Sequence, residues 1–133
     1  MEEQCYCTML RNAARKVSAH YDEALAPIGV GVAQFGLLRK IARVEPVTLS
    51  ELGRLSELDR STVGRNVRVL ERMDLVLLSR GDADQRETHV LLTLAGRDAL
   101  AKGEELWCGA QRSIEARLGA NGAAELLGTL NEL

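Results

Sequence analysis

The groups in this chain best suited to chemistry are guanidinium side chains set at helical spacing. Arg60, Arg65, Arg68 and Arg72 fall within 13 residues, with Glu71 the only acid among them. Ser61, Thr62, Arg65, Asn66 and Arg68 all avoid the apolar stripe drawn by Val63, Val67, Leu70 and Met73. An exposed helix face of that composition fits a DNA major groove: Arg grips guanine bidentately, Asn reads adenine, and small hydroxyls near a helix N-terminus hold phosphate. Downstream, Arg86 sits beside Asp82, Asp84 and Gln85 in a charged stretch. An arginine at a hairpin tip suits the minor groove, and Asp84 can orient it through a short ion pair. The segment 59–87 is neutral, with six arginines against six acids, so position rather than bulk charge carries the reading. A solvated face on an ordinary amphipathic helix uses the same residues.

Cysteine offers the second kind of chemistry. Cys5, Cys7 and Cys108 form an odd set that does not suggest a disulfide framework. On a helix, positions i and i+2 point about 200° apart, so Cys5 and Cys7 cannot share one ion without local unwinding. Two uses remain open. The thiols are small hydrophobes filling an interface, or they pair across subunits as an oxidant or soft-ion sensor. His20 and His89 form no ligand cluster by spacing, so no metal site is expected. His20, Phe35 and Trp107 are candidates for a small-molecule pocket and equally suit plain core positions. No nucleophile–His–acid set, phosphate-cradling glycine loop or paired carboxylates stand out, so no enzyme and no cofactor are expected.

The elements that must position these groups follow from periodicity. Tyr6, Leu10, Ala13, Val17, Tyr21 and Ala24 predict a long first helix ended by Pro27 and Gly29. A second helix is predicted from about Val32 to Arg43. Thr48 and Glu51 have the spacing of a capping box that opens a third. After a turn around Glu57 to Asp59, a fourth runs from about Ser61 to Met73. The period then changes: Leu75–Ser79 and Thr88–Thr93 read as a β-hairpin with a long charged loop. A long helix from Thr93 to about Leu118, a break over Gly119 to Gly122, and a final amphipathic helix bearing Leu126, Leu127, Leu130 and Leu133 complete the chain.

Two short helices, a tight turn and a charged hairpin make a winged helix-turn-helix. The expected fold is a single domain, 1–133, mainly α with a small β-hairpin wing. Residues 32–93 form the DNA-binding lobe, and 1–31 with 94–133 supply dimerisation helices. The dimer is inferred because two long apolar stripes lie far from the central block.

Six ordered motifs resemble the signature of the MarR family. They are Leu49-Ser-Glu-Leu-Gly53, Asp59-Arg-Ser-Thr-Val63, Val69-Leu-Glu-Arg72, Leu75-Val76, Asp84-Gln-Arg86 and Leu92-Thr-Leu-Ala-Gly96. The resemblance implies a dimeric winged-helix regulator, usually a repressor, on a pseudo-palindromic operator. It implies release by a small phenolic or lipophilic ligand, or by cysteine oxidation. It assigns DNA contact to Arg60, Ser61, Thr62, Arg65, Asn66, Arg68 and the wing residue Arg86. Asp74 departs from the pattern, standing where the family often has Gly.

Bulk properties set the outer limits. The 133 residues are 46% hydrophobic, with a net charge of −2 and a pI of about 5.7. That balance disfavours a generic nucleic-acid coat but permits a site-specific binder. Fourteen arginines against three lysines suit forked contacts, and equally suit the codon bias of a GC-rich genome. No apolar run of membrane length appears, and Met1–Cys5 lacks an export signal, so a cytoplasmic location is expected. Two rivals share this frame: a thiol sensor with DNA release as its output, and a winged-helix protein-interaction module.

Overall fold

A computed structural model describes residues 4–80 and 87–133. The order is α1 (Tyr6–Leu25), a short 3-10 turn (Ala26–Ile28), α2 (Val32–Val44), β1 (Val47–Thr48), α3 (Leu49–Ser56), α4 (Arg60–Arg72), β2 (Val76–Arg80), β3 (Thr88–Leu92) and α5 (Leu94–Glu132). The three strands form one antiparallel sheet in the order β1-β3-β2. Val76 pairs with Leu92 and Arg80 with Thr88, which fixes the hairpin register. β1 escapes sequence reading because two residues after a proline carry no period. It nonetheless ties Thr48 to His89 and seats the start of α3 against the wing.

α2, α3, α4 and the sheet close around one core. Phe35, Leu38, Ile41, Leu52, Val63, Val67, Leu70 and Val90 are all buried there. Each helix shows only part of its surface to that core. In α4, Val63, Val67 and Leu70 turn inward while Arg60, Arg65 and Arg68 stay exposed. Met73, the fourth member of the sequence stripe, ends up at the surface.

The joins are local and specific. Asp22 on α1 reaches across to α2, where its Oδ1 accepts the Val32 N–H at 2.8 Å. The Thr48 hydroxyl caps α3 by accepting from the Glu51 N–H at 3.1 Å. Only that half of the capping box forms, because the Glu51 carboxylate turns to Arg54 instead. α4 ends in a tight turn: the Leu75 N–H donates to Leu70 O at 3.0 Å and Asp74 N–H to Glu71 O at 2.9 Å. Asp74 takes φ 61° there, a left-handed conformation that suits glycine better. The Thr93 hydroxyl then donates to Asp74 O at 2.6 Å, linking this turn to the start of α5.

α5 lies close against the lobe because Gly103 has no side chain. A Cβ there would come within 2.5 Å of Phe35 Cε2 and 2.7 Å of Ile28 Cδ1. Further along, the helix breaks at Gly119, with φ 76° and ψ 161°. The break sits on that one residue; Gly122 remains helical. The limb beyond it folds back towards α1. Leu10, Val17, Leu118, Leu126, Leu127 and Leu130 line an apolar groove between the two. Of all α1, only Leu25 is buried.

Candidate nucleic-acid interface

The candidate site is built on the N-terminal half of α4. Asp59 caps the helix, its Oδ1 accepting the Thr62 N–H at 2.8 Å and the Ser61 hydroxyl at 2.7 Å. Those hydrogen bonds, Ser61 first, hold the Asp59 carboxyl down to about 2 from an ordinary 3.8. Thr62 works in turn on Arg65, whose Nη2 lies 3.5 Å from the Thr62 hydroxyl oxygen. Arg60, Ser61, Gly64, Arg65 and Arg68 line an open cleft whose other wall is Leu49 of α3. A second cleft joins Arg60 to Thr48, Ser50, Glu87 and Thr88 at the base of the wing. One continuous polar surface therefore runs from the start of α4 to the hairpin.

The structure brings Arg60, Ser61, Arg65 and Arg68 together on that surface. Thr62 and Asn66 are half-buried on its flank. Arg86 and Asp84 lie outside the described residues. The apolar side of α4 explains why the polar residues end up together. Burying Val63, Val67 and Leu70 leaves the helix one free face, and the arginines occupy it. The Asp59-Arg-Ser-Thr-Val63 motif alone gives Asp59 no role of its own. The signal was legible: an Asp three positions before Thr62 at a helix start is a capping pattern.

The other candidates are dispersed. Cys5 and Cys7 are exposed at the start of α1, and Cys108 is half-buried on α5. Hydrogen bonds from the Thr8 backbone, the Thr8 side chain and the Cys7 backbone lower the Cys5 thiol from its usual range. Among the described residues no His, Cys, Asp and Glu group has metal-binding geometry. Phe35 is sealed in the core at 1% exposure, so it walls no opening. His20 lines a cleft between α1 and α5 with Glu23, Glu105 and Ser113, and its buried Nε2 has no hydrogen-bond partner. Trp107 lies elsewhere on α5, under the Arg39 guanidinium at 4.3 Å. Arg39 also reaches Glu104 at 3.5 Å. Tyr21 donates to Gln111, and burial, then the Glu115 charge, raises its hydroxyl above the ordinary value. The three sequence candidates for a pocket thus do not share one. The contacts of Trp107 and Tyr21 join residues far apart in the chain, and spacing alone cannot reveal them. No single helix among the described residues is long and apolar enough to cross a membrane.

Known proteins match this arrangement. A family model described as MarR family matches residues 28–87, which is the lobe from the 3-10 turn into the wing. The chain is 36% identical to the Mycobacterium tuberculosis transcriptional regulator MosR, solved in complex with DNA. That match covers 97% of each chain with a TM-score of 0.79. A probable transcriptional regulator from Pseudomonas aeruginosa is 27% identical over 93% of this chain and 92% of its own, with a TM-score of 0.85. A mutant of MarR from E. coli, complexed with operator DNA, shares the fold: 22% identity, 94% and 90% coverage, TM-score 0.85. No curated protein sequence matches the chain.

Proposed function

Because the chain belongs to the MarR family of DNA-binding transcriptional regulators, we propose that it is a homodimeric repressor. In this reading it binds a pseudo-palindromic operator and leaves it when a small ligand or a thiol-reactive signal arrives. Family membership makes it a regulator rather than an enzyme. The observation that carries the proposal is the exposed face of α4. Ser61, Arg65 and Arg68 stand together on a helix whose opposite side is locked into a closed core. Such a helix enters a major groove without disturbing the fold behind it. Arg60 flanks it, Thr62 and Asn66 support it, and Arg86 oriented by Asp84 serves the minor groove.

The dimer is supported by the apolar surface left along α1 and the end of α5. Tyr6 is 86% exposed and Leu127 61%. Segments 1–31 and 94–133 are the proposed partners across the two-fold axis, leaving 32–93 as the DNA-binding lobe. A C2 pair presents two copies of α4 to half-sites about one helical turn apart, roughly 34 Å. The same reading places the protein in the cytoplasm with its operator.

The test is quantitative binding to an operator selected from a random duplex pool. Arg65→Ala is expected to lower affinity about 10- to 100-fold, with discrimination relaxed at one base position. Unchanged affinity would remove α4 from the interface.

One observation favours the sensor reading. The lowered Cys5 thiol carries more thiolate at neutral pH than a free cysteine does. A triple variant with Cys5, Cys7 and Cys108 each replaced by Ser is expected to keep operator binding and lose oxidant-driven release. If the variant still releases normally under oxidant, the thiols are packing residues and the effector is a small ligand. His20, Trp107 and Phe35 remain the sequence candidates for its pocket, of which His20 alone lines a cleft with an unpartnered polar atom.

A further inference from the structure

Ser61 sits on the exposed face of α4 and shares its cleft with Arg65 and Arg68. A serine hydroxyl has one proton to donate and two lone pairs to accept with. The 2.7 Å contact to Asp59 Oδ1 uses that proton. Asp59 has none to offer in return, because its carboxyl is ionised far below neutral pH. What Ser61 shows outward is therefore acceptor only.

That polarity decides what Ser61 can meet on a duplex. A phosphate oxygen needs a donor, and here it would also approach a carboxylate that already neutralises the N-terminal end of α4. Guanine presents O6 and N7, and thymine O4, which are acceptors as well. Adenine N6 and cytosine N4 present amino hydrogens. The geometry points to Ser61 as a specificity-determining residue that accepts a hydrogen bond from an exocyclic amino group, of adenine or cytosine, in each half-site. Asp59 is its positioning residue. Ser61 so placed reads sequence, where a serine at a helix start is ordinarily assigned to phosphate.

The inference rests on the operator-binding reading, and the experiment separates the two. Base preference is measured by selection from random duplexes for the wild type, Ser61→Ala and Asp59→Gly, with helix content checked by circular dichroism. Glycine is a tolerated cap, so Asp59→Gly keeps α4 while freeing the hydroxyl proton. The wild type is expected to prefer adenine or cytosine at one position that Ser61→Ala reads about fivefold less strongly. Asp59→Gly is expected to admit guanine or thymine at that same position. Two results overturn the inference while leaving operator binding intact. One is an unchanged preference in either variant. The other is a uniform loss in Ser61→Ala with a shallower salt dependence, which marks a phosphate contact. A wild type that enriches no sequence overturns both.

Discussion

In the lobe from α2 to β3, Phe35, Leu38, Ile41, Leu52, Val67 and Leu70 are at most 1% exposed. Along the first turns of α1 and the end of α5, Tyr6, Leu10, Val17, Leu126, Leu127 and Leu130 have equally regular helical spacing and remain open to solvent, from Leu126 at 40% to Tyr6 at 86%. Both regions carry the amphipathic pattern of a helix that covers something. In the lobe, four elements of one chain converge and cover each other. In the flanks, the first turns of α1 face the end of α5, and two helices cannot enclose a core between them. A hydrophobic stripe states that a surface will be covered. It does not state whether the cover comes from the same chain.

The contrast can be broken on its open side first. Leu127→Glu places a charge in the groove between α1 and α5. It is expected to leave helix content intact and yield a monomer by light scattering, with operator affinity down at least about 100-fold. A dimer of normal affinity would mean that the groove is not the interface. The closed side is tested by Leu70→Ala, which opens a void in a fully buried position. It is expected to cost about 3 kcal/mol in urea unfolding. A loss below about 1 kcal/mol would show the lobe less tightly packed than its burial implies.

Asp74→Gly sharpens the comparison at the seam between lobe and α5. Glycine takes φ 61° without the steric cost that Asp bears, against a small entropic cost in the unfolded chain. A gain of about 0.5–1 kcal/mol is expected, read as a higher melting temperature. A loss would show that the Asp74 side chain contributes to the turn.

The smallest effect is in acid. The folded Asp59 carboxyl titrates at about 2, below its ordinary 3.8. Its contribution is therefore present above the unfolded value and is lost as pH falls through the folded one. The stability difference between wild type and Asp59→Asn is expected to be flat from about pH 7 to about pH 4, then to shrink towards pH 2. A difference that stays flat down to pH 2 would show that Asp59 gains nothing from Ser61 and Thr62.

Much of the lobe was legible in the residues. The α4 stripe, the Thr48 cap and the short, partly β-branched apolar runs after Asp74 each have a local cause, so each of these elements lies within a residue or two of its predicted bounds. The exposed arginines followed because a helix with one apolar side has a polar remainder. Other features were not decided by spacing. β1 is a strand only because β3 lies beside it. The Glu51 carboxylate had two partners within reach and took Arg54 over the cap. Phe35 was open to a pocket reading until Gly103 allowed α5 to close over it.

By itself, the amino-acid order determined which faces are apolar, where helices begin and stop, and that guanidinium groups gather on one side of α4. These depend on contacts within a turn or two, whose energies favour one answer wherever the segment lies. Tertiary structure alone decided which stripes close into a core and that α5 bends at Gly119 towards α1. Those outcomes depend on which distant surfaces meet and at what angle.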